Sequence, residues 1–128
     1  MTVARGARLA MGADMTSRVL LVEDEPLIAM MLEDFLDAMD RRCVGIADSV
    51  ASAIPLIDGG GIDCAIIDVN LRGGEKSWPI ADTLAERGIP FVFATGGGDD
   101  GIADQHRDRP RINKPFTMDA VERALDAL

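Results

Sequence analysis

Arg18-Val19-Leu20-Leu21-Val22-Glu23-Asp24 carries a short apolar run that ends abruptly in two carboxylates. The pattern returns in Cys64-Ala65-Ile66-Ile67-Asp68, and a later run, Ile112-Asn113, closes on Lys114-Pro115. Apolar runs this short, set between segments with helical periodicity, read as strands buried on both faces of a parallel sheet. In open α/β sheets the ligand site lies beyond the carboxyl ends of the strands. The sequence therefore gathers Glu23, Asp24, Asp68 and Lys114 on one rim. That set suits a divalent cation and a phosphoryl group.

Outward from these runs the chain alternates strand and helix five times. Strands are expected at Arg18–Val22, Cys43–Ala47, Cys64–Asp68, Phe91–Thr95 and Arg111–Lys114. Helix 1 opens at Pro26, with Ile28, Met31, Leu32, Phe35, Leu36 and Met39 on one face. In helix 2, a Ser52 cap puts Pro55 in the first turn, where its missing N–H costs little, so a short or kinked helix is expected. Gly59-Gly60-Gly61 ends it. Helix 3 starts after Ser77 with Pro79 in its first turn and stops at Gly88. Between Gly96 and Pro110 few apolar residues occur, so a fourth helix there is expected to be short and weakly anchored, and this segment the most mobile part of the domain. Helix 5 runs from Thr117 to the end, with Met118, Val121, Leu125 and Leu128 inward. Right-handed crossovers place the helices on both faces of the sheet. The expected fold is α/β: a five-stranded parallel sheet in the flavodoxin-like order 2-1-3-4-5, which puts strands 1 and 3, and hence their carboxylates, side by side.

At 128 residues and a net charge of −9, the chain is expected to hold one domain, residues 18–128, behind a flexible extension of residues 1–17. Gly6, Gly12 and Asp14 interrupt any apolar core in that extension, which makes it a poor signal peptide. The acidity argues against nonspecific binding to nucleic acid or anionic membranes. No run approaches the roughly 20 apolar residues of a membrane span. Cys43 and Cys64 fall on strands separated by strand 1, roughly 9–10 Å apart, beyond disulfide reach. Free buried thiols point to a cytoplasmic protein.

Three carboxylates within about 5 Å repel by roughly 3 kcal/mol per pair at an effective dielectric near 20, so such a cluster calls for a positive partner. Oxygen-only ligands without Cys or His select Mg²⁺, Mn²⁺ or Ca²⁺, and few protein ligands with retained waters fit Mg²⁺ best. A carboxylate beside such an ion can attack a phosphoryl group and form an acyl phosphate. Lys114 is placed to hold one phosphoryl oxygen and Thr95, ending strand 4, another. Gly96 leaves room for close approach.

With Glu23-Asp24, Asp68, Thr95 and Lys114-Pro115 in register, Arg18–Leu128 resembles the CheY-like receiver domain of two-component response regulators. The resemblance implies that Asp68 accepts phosphate from a sensor histidine kinase or a histidine phosphotransfer protein. It implies that Asp24, Asp68 and the Asn70 carbonyl bind Mg²⁺ (or Mn²⁺), with Glu23 acting through water. It also implies a cis Lys114–Pro115 bond. Phe91-Val92-Phe93-Ala94-Thr95-Gly96, with Asp68-Val69-Asn70-Leu71 and Gly74-Glu75, is similar to the FAT GUY single-domain regulators of alphaproteobacteria. Two switch positions depart from these patterns. Gly97 stands where that group carries tyrosine, and Arg111 stands three before the lysine, where receivers carry an aromatic. The chain has no ring there to swing inward when the threonine moves.

Other readings compete less well. Dehalogenase-like phosphatases need an acid two residues after the nucleophile, where Asn70 stands and cannot transfer a proton. A flavodoxin-like FMN carrier would have its phosphate repelled by Glu23-Asp24-Glu25. A receiver-like binding module that works without phosphorylation remains the main alternative, through Gly97 and Arg111. His106, between Asp104 and Arg107, reads as solvated surface, and Trp78 as an anchor of helix 3. With helix 5 reaching Leu128, the signal is expected to leave by contact with a downstream protein or by onward phosphotransfer. The chain is expected to be a monomer or weak dimer, and no enzyme beyond its own phosphorylation and dephosphorylation.

Overall fold

A computed structural model describes residues 17–96, 102 and 104–128. Its strands are β1 (Arg18–Val22), β2 (Arg42–Ala47), β3 (Cys64–Asp68), β4 (Phe91–Thr95) and β5 (Arg111–Asn113), all parallel, in the order β2-β1-β3-β4-β5. The helices are α1 (Pro26–Ala38), α2 (Val50–Asp58), α3 (Trp78–Glu86) and α4 (Met118–Asp126). The α/β fold expected from the alternating pattern is the one observed. Residues 1–16, which make up nearly all of the expected flexible extension, and Gly97 lie outside the described residues.

Each central strand contributes alternate residues to two apolar layers. Leu20, Val22, Ala65, Ile67, Phe91 and Phe93 pack with α2 and α3 on one face. Val19, Leu21, Ile66, Val92 and Ile112 pack with α1 and α4 on the other. β3 and β4 are buried along their whole length, which is why they read as continuous apolar runs. On α1 the expected face is inward, with Leu32 and Leu36 fully buried. Val19 pairs with both Cys43 and Cys64, so one strand separates the thiols and both are free.

Three local expectations are corrected. Ser49, not Ser52, caps α2. Its side chain accepts from the Ser52 N–H at 3.1 Å while the Ser52 hydroxyl accepts from the Ser49 N–H at 3.1 Å. Pro55 therefore sits inside the helix, because this reciprocal pair satisfies more of the helix's free N–H groups than moving the proline to the first turn would save. On α4, Val121 and Leu125 are buried but Met118 and Leu128 are exposed. The neighbouring strand β5 is only three residues long. The described part of 96–110 forms a 3₁₀ turn at Asp104–His106, as short as expected but better anchored than its composition implied, while residues 97–101 and 103 of the segment expected to be mobile lie outside the described residues. Ile102 and His106 are buried. His106 Nε2 lies 2.7 Å from Asp82 Oδ1, and its ring stacks on Trp78 and meets Phe91 and Phe93 edge-on. An imidazole carries enough apolar surface to fill an aromatic pocket, and its charged sequence neighbours hide that role.

Candidate functional site

Strand register assembles the rim. Val22 pairs with Ile67, Asp68 with Ala94, and Thr95 with Asn113. Glu23 thus lies level with Asp68, Thr95 stands one step beyond, and Lys114 two. The Glu23 N–H still donates to the Ala47 carbonyl at 2.9 Å and the Lys114 N–H to the Thr95 carbonyl at 2.8 Å. The sheet's own hydrogen bonds therefore fix the backbone under the site. The Lys114–Pro115 bond is cis.

Glu23, Asp24 and Asp68 each place a carboxylate oxygen within 4.8 Å of the others. Glu23 and Asp68 are buried and Asp24 partly so. Asp68 Oδ2 accepts from the Lys114 ammonium at 2.6 Å, and Oδ1 accepts from the Asn70 N–H at 3.2 Å. The same ammonium lies 3.5 Å from Glu23 Oε1, which is buried and accepts no hydrogen bond. Glu23 Oε2 accepts from the Glu25 N–H at 3.1 Å. Burial, reinforced by the negative charge of Asp68, pushes the Glu23 carboxyl up to about 7, against the pull of the Glu25 N–H and of Lys114. Burial alone would lower Lys114. Its hydrogen bond to Asp68 and the charges of Asp68 and Glu23 outweigh that and hold it above the usual lysine range.

An all-oxygen set crowded around one lysine, with a buried carboxylate oxygen lacking a donor, fits a hard divalent cation. Asp24, Asp68 and Glu23 offer carboxylates. Asn70 stands beside them in an isolated bridge with Lys76, whose ammonium donates to the Asn70 side-chain carbonyl.

The remaining expected positions are reached differently. The Thr95 hydroxyl donates to Asn113 Oδ1 at 3.0 Å, a partner the sequence reading did not anticipate. Gly96 faces open space, since a Cβ there would meet nothing within 4 Å. Crowding among the described residues therefore does not account for that glycine. Pro115 is exposed, and so is Arg111, whose guanidinium donates to the Arg107 carbonyl at 3.4 Å. Trp78 meets Phe93 edge-on at 5.7 Å, the anchoring role expected of it. Arg72 was missed altogether. It reaches from the loop after β3 to donate to the Asp24 carbonyl at 2.8 Å.

No family model matches the chain. Among solved structures, SdrG from Sphingomonas melonis Fr1 is 60% identical, superposes with a TM-score of 0.80, and covers 90% of this chain and 98% of its own. The chain belongs to the receiver-domain response regulators. Within the response regulators, the BeF3-activated conformation of SdrG from Pseudomonas melonis Fr1 is 63% identical over 86% of this chain and 93% of its own, at a TM-score of 0.75. The phyllosphere-induced regulator PhyR of Methylorubrum extorquens is 30% identical over 83% of this chain and 41% of its own length. The transcriptional regulatory protein TcrA of Mycobacterium tuberculosis is 30% identical over 100% of this chain and 52% of its own. The chain thus spans about half the length of the curated response regulators it matches. Among the described residues no helix is long and apolar enough to cross a membrane.

Proposed function

We propose that this receiver acts as a single-domain regulator whose Asp68 accepts a phosphoryl group from a sensor histidine kinase or a histidine phosphotransfer protein. The observation that carries the reading is the Asp68 carboxylate held between the Lys114 ammonium at 2.6 Å and the acid pair. An Asp68 oxygen attacks phosphorus, the P–N bond to the donor imidazole breaks, and its electron pair returns to the ring nitrogen. Asp24, Asp68 and the Asn70 backbone carbonyl, with Glu23 through water, would hold Mg²⁺ (or Mn²⁺), which would supply positive charge to the transferring group. Lys114 exchanges its Asp68 oxygen for a phosphoryl oxygen, which frees the carboxylate. Thr95 follows by turning its hydroxyl from Asn113 to the phosphoryl group. The BeF3-activated form of a 63% identical relative supports the reading, since that fluoride has the tetrahedral shape of a phosphoryl group.

With no aromatic at Arg111, the switch runs through Thr95, Asn113 and the packing of Ile102 and His106 rather than through a ring at that position. The product signals in the cytoplasm by contact with a downstream protein or by passing the phosphoryl group on. An aspartyl phosphatase is disfavoured because Asn70 occupies the place of the second acid and is bound by Lys76.

Incubation with acetyl phosphate and MgCl₂, followed by intact mass, tests this. Wild type should gain one phosphoryl group, and neither Asp68→Asn nor wild type in chelator should. An unmodified wild type would leave the phosphorylation-independent binding module as the better reading.

A further inference from the structure

Two cations serve the three carboxylates of the rim among the described residues. Lys114 takes Asp68 and Glu23, and Arg72 takes Asp24. Arg72 sits in a built loop rather than a loose one. Asn70 and Lys76 form an antiparallel bridge, the Leu71 N–H donates to the Glu75 carbonyl at 2.7 Å, and Leu71 itself is buried. Gly73 and Gly74 close the turn at φ 74° and 79°, a region that side-chain-bearing residues avoid. Glu75 Oε1 accepts from the Val50 N–H at 3.0 Å, which ties the far side of the loop to the start of α2. Pinned in this way, the loop brings the guanidinium to Asp24. One nitrogen donates to the Asp24 carbonyl at 2.8 Å, and Nε lies 4.0 Å from Asp24 Oδ2. The Arg72 side chain is 69% exposed, so it can swing away without disturbing the core.

We infer that Arg72 is a built-in counter-cation for Asp24 that competes with the divalent metal and so sets the affinity of the rim for it. The inference rests on the cation-binding reading of the site and goes beyond it. A metal ligated by Asp24 at about 2.1 Å lies within roughly 6 Å of Nε, inside the Debye length of about 8 Å at physiological salt. To bind, the ion must take Asp24's charge from the guanidinium or endure its repulsion. With water-like screening, removing that single charge tightens divalent binding by roughly three- to tenfold. As a positioning residue, Arg72 acts on the metal through Asp24.

The test is a titration of the metal-free protein with MgCl₂, followed by backbone amide NMR shifts at Asp24, Asp68 and Asn70. Arg72→Gln keeps a donor for the Asp24 carbonyl but loses the charge, and should bind Mg²⁺ three- to tenfold more tightly than wild type. Arg72→Lys keeps the charge and should stay within about twofold of wild type. The gain in Arg72→Gln should shrink as NaCl is raised. Equal or weaker binding by Arg72→Gln, or an equal gain in Arg72→Lys, overturns this inference while leaving the metal site standing. Shifts absent from wild type and every variant overturn the cation-binding reading itself, and this inference with it.

Discussion

Replacing Glu23 by glutamine probes the rim at its most buried carboxylate. Burial, with the charge of Asp68 adding to it, lifts the Glu23 carboxyl from 4.5 to about 7 in the metal-free fold. A carboxyl with a higher pKa folded than unfolded binds its proton more tightly in the native state. The metal-free protein therefore loses stability as pH rises from about 4.5 through about 7, and levels off above. A difference of about 2.5 pH units corresponds to about 3 kcal/mol. That is a large share of the 5–15 kcal/mol typical of a domain, and roughly 10 °C in Tm at this size. Glutamine removes the titration and leaves the 2.6 Å Lys114–Asp68 hydrogen bond in place. The assay is urea unfolding in chelator at pH 5 and pH 8, followed by the fluorescence of Trp78, the only tryptophan. Between these pH values wild type should lose about 2–3 kcal/mol more than Glu23→Gln. Comparing the two proteins cancels the other titrating groups. A wild type whose stability falls no more than that of the variant would refute the reasoning.

Asp24→Asn relieves carboxylate repulsion, so it should stabilise the metal-free protein by up to about 1 kcal/mol and abolish its stabilisation by MgCl₂; thermal unfolding with and without the salt reads both effects. His106→Ala empties a pocket walled by Trp78, Phe91 and Phe93, and should cost about 2–4 kcal/mol and shift Trp78 emission, whereas His106→Phe should recover part of the loss. Ser49→Ala removes the oxygen that accepts from the Ser52 N–H, and should cost about 1 kcal/mol in urea and speed hydrogen exchange in the first turn of α2.

The fold was legible because strand burial leaves a mark that needs no context. Val19–Val22 and Ala65–Ile67 are apolar without alternation since both faces are covered, and the residues that break each run sit where the sheet meets solvent. The rim was legible for the same reason, as Glu23, Asp68, Thr95 and Lys114 all lie at or just past a strand end. Interactions made by side chains crossing between loops left no such mark. Arg72 lies four residues past Asp68, and only the turn at Gly73-Gly74 aims it back at Asp24. Asn113 is one residue before Lys114 and read as an ordinary position inside the fifth strand, yet parallel pairing with Thr95 makes it the partner of that hydroxyl. His106 was misread because neighbours in sequence stood in for neighbours in space. Pro55 was weighed by its own cost alone, without the reciprocal bonds of Ser49 and Ser52.

The most direct test of the central claim is to locate the phosphoryl group chemically. Borohydride reduces an aspartyl phosphate to homoserine, which peptide mass spectrometry places at a single residue. After treatment with acetyl phosphate and MgCl₂, reduction should convert Asp68 and leave Glu23 and Asp24 unchanged. Homoserine at another aspartate, or none in a sample whose intact mass had risen by one phosphoryl group, would contradict the assignment of Asp68.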